Sequence, residues 1–116
     1  MLTVTAHHGP FLLMVGTGDA DVCDIFGLID MASRLAAMKP YRRVLLDLIS
    51  VNVRFSPEQH RAVGTHLAVA LSGAEKVAVV VNQRLRVGTG ERAAVNAGLN
   101  LKTFVDLREA TVWLEG

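Results

Sequence analysis

Residues 76–82 read Lys-Val-Ala-Val-Val-Val-Asn, five consecutive apolar positions closed at each end by a polar side chain. A strand with one wet face alternates apolar and polar residues. A run that is apolar at every position needs cover on both faces of its sheet. The run therefore predicts a central strand, and a sheet covered on both sides is built by helices that alternate with largely parallel strands. The length permits one such unit. A chain of 116 residues buries roughly 65% of the surface its unfolded form exposes, enough for a core without disulfide staples. A single cysteine, Cys23, excludes an internal disulfide and a Cys-based zinc cluster.

The rest of the chain reads consistently with that strand. Residues 2–6 and 11–15 are short strand-like runs separated by His7-His8-Gly9-Pro10, a turn sequence, so the start predicts an antiparallel hairpin. Gly16-Thr17-Gly18-Asp19 is expected to end it, with Asp19 or Asp21 capping a helix over about residues 20–38 that Pro40 terminates. Residues 42–48 form a second buried strand. Ser56-Pro57-Glu58-Gln59 is a capping box with proline at the first helical position, and that helix runs to about residue 71. A short helix over residues 90–97, a strand over 101–105 and a last helix opened by a second capping pattern, Asp106 with Glu109 three residues on, complete the order. The prediction is one α/β domain, residues 1–116, with a mixed, mainly parallel sheet after an N-terminal hairpin and about four flanking helices.

Charge narrows the partners. Twelve basic against 11 acidic residues give a formal net charge of +1, without the basic excess that nucleic-acid binders show. No stretch reaches the apolar length of a membrane span. With no export signal and one free thiol, a cytoplasmic location is expected.

Phe104-Val105-Asp106, then Ala110 and Trp113-Leu114, resemble the closing signature of SpoIIAA-like proteins of the STAS superfamily (sulfate transporter and anti-sigma-factor antagonist), also described as STAS/SEC14-like. Residues 43–48, the Ser56-Pro57-Glu58 helix start and Val77-Ala78-Val79-Val80 fit the same pattern in order. The resemblance implies a mixed sheet flanked by helices and a role without catalysis or cofactor. Antagonists of the wider superfamily bind a partner kinase and are switched by phosphorylation of a serine in an Asp-Ser-Ser-Gly-like segment. The corresponding region here is Phe55-Ser56-Pro57-Glu58, a serine without that motif. Ser56 is thus a phosphosite candidate by resemblance, while the capping box accounts for the residue without phosphate.

Other candidates come from the residues themselves. Gly88, Thr89 and Gly90 open a helix, and Arg84, Arg86 and Arg92 flank them, a combination that can hold a phosphate or carboxylate or serve only as a solvated loop. His60 and His66 stand six apart and cannot share a helical face, and His7-His8 lies in a turn, so no metal site is expected. Asp47, Glu58 and His60 lack the spacing of a catalytic set. Cys23, between Val22 and Ile25, is expected to be buried.

The first helix carries more apolar surface than one core contact needs. Val22, Ile25, Phe26, Ile29, Ala32 and Ala36 form the expected core stripe, and Leu28, Met31, Leu35 and Met38 add a second row. Facing outward, that row is an interface candidate for a protein partner or a homodimer; facing inward, it lines a core or a ligand cavity. The leading expectation is a non-enzymatic STAS-like regulatory or binding module acting through protein contact. The alternative is a SEC14-like carrier or sensor of a lipid or other apolar small molecule, and the third a small enzyme of unknown type.

Overall fold

The computed structural model describes residues 1–39, 41–85 and 88–116. Two N-terminal strands, β1 (Thr3–His8) and β2 (Leu12–Asp19), form the hairpin. Helix α1 (Val22–Met38), strand β3 (Arg43–Asn52), helix α2 (Pro57–Ala70), strand β4 (Lys76–Val81), a 3-10 turn at Gln83–Leu85, helix α3 (Thr89–Asn96), strand β5 (Leu101–Phe104) and helix α4 (Leu107–Glu115) follow. The sheet runs in chain order, β1-β2-β3-β4-β5, with β1 antiparallel to β2 and the other pairs parallel. The predicted α/β architecture is what the chain adopts.

The valine run is buried on both faces because β4 lies between β3 and β5 and under helices on each side. Val77 and Val79 join Val44, Leu46, Leu12, Met14 and Leu101 on the face packed by α1, α2 and α3. Ala78 and Val80 join Leu45 and Phe104 on the face packed by Ala110 and Leu114 of α4. β3, not β4, is the middle strand of the five, yet β4 has no open edge. Amides of residues 77–80 are therefore expected to be among the slowest to exchange with solvent. Hydrogen-exchange mass spectrometry checks this, and exchange there as fast as at the Ser72–Gly73 turn would contradict it.

Two expectations need correction. Gly16 and Gly18 do not end β2, which pairs on to Asp19 opposite Asn52 and carries β3 beyond residue 48. The reason at Gly16 is close approach: a β-carbon there would meet Val51 Cγ2 at 3.0 Å, so the glycine lets α1 and β3 side chains sit on the strand. Cys23 is exposed. It sits in the first turn of α1, after the Asp21 cap, on the side turned away from the sheet. The capping box at Asp21 and Asp24 is complete: Asp24 N–H donates to Asp21 Oδ1 at 2.8 Å and Asp21 N–H to Asp24 Oδ2 at 3.0 Å. Pro40, the expected terminator of α1, lies outside the described residues; α1 closes at Lys39, whose N–H donates to the Leu35 carbonyl.

Candidate functional site

Three helices on one face of the sheet leave a gap between them. Leu46, Val79 and Leu101 rise from β3, β4 and β5 to make its floor. Ile25, Leu28 and Ile29 of α1 form one wall, and Val63 and Leu67 of α2 another. Val81, the last residue of β4, and Val53 and Phe55, past the end of β3, stand at the rim. The first turn of α3 contributes Gly88, Gly90 and Glu91. The cavity measures about 120 Å³. It lies on the sheet face under the helices, and its rim reaches the carboxyl ends of β3 and β4, the side on which open α/β sheets hold their ligands.

The packing that makes the gap is specific. α3 lies close against α2 because position 64 is glycine: a β-carbon there would come within 2.2 Å of the Gly90 carbonyl oxygen and 2.9 Å of Ala93 Cβ. α3 begins at Gly88, whose φ of 76° is the left-handed conformation that glycine adopts freely. That turn brings Gly88, Gly90 and Glu91 over the cavity.

The floor is hydrocarbon and the polar groups stand at the rim. His60, half-buried, packs edge-on to Phe55 with ring centres 5.4 Å apart. Burial holds its imidazole below the ordinary value of 6.5. Glu91 Oε1 accepts a 2.6 Å hydrogen bond from the Thr103 amide of β5, which ties the start of α3 to the sheet edge. Neither role was legible in the sequence: the Glu91 bond needs β5 beside α3, and the Phe55–His60 contact depends on how the chain turns into α2.

The sequence candidates fall into separate places. Ser56 caps α2: Gln59 N–H donates to Ser56 Oγ at 3.1 Å and Ser56 N–H donates to Gln59 Oε1 at 2.9 Å. Ser56→Ala is expected to lower stability by about 1 kcal/mol. Urea unfolding checks this, and an unchanged midpoint would deny Ser56 its capping role. Of the anion candidates, Gly88 and Gly90 line the cavity, whereas Arg84 is exposed on the 3-10 turn. Arg92 is exposed with its guanidinium 3.4 Å from Thr89 Oγ1, and Arg86 lies outside the described residues. Asp47 is on the sheet face opposite the cavity, in phase with Leu45 and Ile49, so it is not brought near Glu58 or His60. His66 pairs with Asp30 at 2.7 Å and stacks on Phe26 at 4.5 Å, joining α2 to α1. His8 meets the Tyr41 hydroxyl. Among the described residues no cluster of three metal-ligating side chains forms.

The second row of α1 splits. Leu28 is 2% exposed and lines the cavity, Leu35 packs against the core, and Met31 and Met38 are 46% and 82% exposed. The row is therefore not one outward stripe. The buried face is Ile25, Leu28, Ile29 and Ala32, rotated away from Val22 and Phe26 toward the second row. α2 explains the rotation, since it flanks α1 and receives Phe26 against His66 at the edge of the contact.

No family model matches the chain, and no curated protein does. Solved structures do. An uncharacterized protein of the DUF3478 family with a SpoIIAA-like fold, from Shewanella loihica, is 15% identical over 97% of this chain and 93% of its own, with a TM-score of 0.59. An anti-sigma factor antagonist from Mycobacterium paratuberculosis is 15% identical over 100% of this chain and 96% of its own, with a TM-score of 0.64. The fold is thus SpoIIAA-like, the architecture of STAS domains, as the closing Phe104-Val105-Asp106 and Trp113-Leu114 segments suggest. No helix among the described residues is long and apolar enough to cross a membrane.

Proposed function

We propose that this chain is a non-enzymatic binding module whose cavity holds a small apolar molecule. The observation that carries the reading is the largely hydrocarbon-lined cavity between α1, α2, α3 and the sheet face. Its floor and helical walls offer water no hydrogen-bond partner, which favours an apolar guest there. Among the described residues the lining has no serine, cysteine or metal cluster beside His60 and Glu91, so binding suits it better than turnover. Native mass spectrometry of the purified protein, compared with the denatured spectrum, tests this. The expected result is a small apolar adduct, or one regained on adding toluene. A spectrum without adduct in both conditions would contradict the reading.

A second reading is a regulatory module that acts by protein contact. It is supported by the likeness to an anti-sigma factor antagonist and by Met31 and Met38, exposed seven residues apart on one side of α1. Self-association through that side would give a two-fold dimer. Sedimentation of wild type against Met31→Glu decides it: a dimer that the substitution dissociates supports this reading, and a monomer in both removes the homodimer.

A further inference from the structure

We propose that the cavity selects a ring-sized apolar molecule with a neutral, hydrogen-bond-donating head, such as an aryl or short alkyl alcohol, over the matching carboxylate. The inference rests on the reading that the cavity holds an apolar guest, and adds its size and the chemistry of its polar end.

Size comes first. The cavity of about 120 Å³ is slightly smaller than an engineered protein cavity of about 150 Å³ that takes benzene. A single ring or a chain of about six carbons fits on that scale. A whole two-chain lipid does not, so the site suits a small guest.

Orientation follows from the lining. Leu28, Leu46, Leu67 and Val79 offer no polar atom, and a hydroxyl buried among them would lose its hydrogen bonds to water at a cost that polar contact must offset. The head therefore turns to the rim, where His60 and Glu91 stand. One oxygen of Glu91 receives the Thr103 amide. A carboxylate has about four lone-pair directions in all, so Glu91 can still accept from a guest hydroxyl. The neutral imidazole of His60 supplies one acceptor and one donor.

A carboxylate head meets the opposite situation. Among the described residues, Glu91 is the one carboxylate or cation that lines the cavity, and it repels a second carboxylate at the half-buried rim. Among the described residues, Arg92, next to Glu91 in the chain, is exposed and lies outside the lining, with its guanidinium between Gly88 and Thr89 Oγ1. Water screens it more than it screens Glu91.

Toluene, benzyl alcohol and benzoate share a ring and differ in the head, so they separate the two parts of the claim. Each is titrated at neutral pH into protein labelled at Leu and Val methyls, with Leu28, Leu46 and Val79 as reporters. Benzyl alcohol is expected to bind tightest, and benzoate roughly tenfold or more weaker than benzyl alcohol. In Glu91→Gln, whose amide oxygen can still accept from Thr103, the gap should narrow by most of that factor. The Thr103 amide shift confirms that the variant keeps the loop in place. Benzoate binding as tightly as benzyl alcohol in wild type overturns the head-group inference and leaves the apolar reading standing. A gap that persists unchanged in a folded Glu91→Gln overturns the role given to Glu91. Methyls unmoved by all three probes, toluene included, overturn the underlying reading as well.

Discussion

Leu28→Ala is expected to cost about 2–5 kcal/mol of stability, while Met31→Ala, three residues on, stays within about 0.5 kcal/mol of wild type. The contrast follows from where α1 turns its side chains. Leu28 is 2% exposed and closes one wall of the cavity, whereas Met31 is 46% exposed. Truncating Leu28 removes buried hydrocarbon and enlarges a space that is already open, so the surroundings have little to collapse onto. The same enlargement should make the variant more responsive to an apolar guest. At a toluene concentration 100 times its dissociation constant, binding returns about 2.7 kcal/mol. Denaturant unfolding of both variants, with and without toluene, checks the prediction. Equal losses for Leu28→Ala and Met31→Ala would mean that the α1 row is a single surface.

Gly64→Ala is the second large effect. Alanine favours a helix interior over glycine by about 0.8–1.0 kcal/mol, so an exposed site would gain. Position 64 is buried against α3, and the added methyl would fall 2.2 Å from the Gly90 carbonyl oxygen, a backbone atom that cannot rotate aside. Overpacking of that kind costs typically 1–3 kcal/mol and occasionally more. The backbone clash exceeds the propensity gain, and the net result is a destabilised protein with α3 displaced. Because Gly90 and Glu91 travel with α3, the Thr103 amide should lose its hydrogen bond and exchange faster. Thermal unfolding together with exchange at Thr103 reads both consequences. A Gly64→Ala protein at least as stable as wild type, with Thr103 still protected, would show that α3 is not held at this crossing.

The layered architecture was legible because its signals are local. The valine run of β4 and the Ser56 capping box declare themselves within a few residues and hold in the folded chain, while of the second capping pattern Asp106 caps α4 through the Arg108 amide without a return bond from Glu109. The hairpin was legible in type but not in extent. Gly16 and Gly18 look like breakers in isolation, and only the packing of Val51 over Gly16 shows that the strand continues. A ligand cavity beside the second row of α1 was one alternative, but its walls were not legible, for the same reason. Its walls come from α1, α2, α3 and three strands, and Gly64, the residue that sets the α2–α3 distance, is one unremarked glycine in a helix. Periodicity on α1 gave two rows of apolar residues without the angle at which the helix rolls on the sheet, and that angle decides that Leu28 goes inward and Phe26 to the margin.

A crystal of the protein pressurised with xenon tests the central claim most directly, because xenon enters dry apolar cavities and needs no polar contact. Xenon density is expected between α1, α2 and the sheet, within van der Waals reach of Leu28, Leu46, Leu67 and Val79. Ordered water filling that space, or xenon bound only elsewhere, would contradict it.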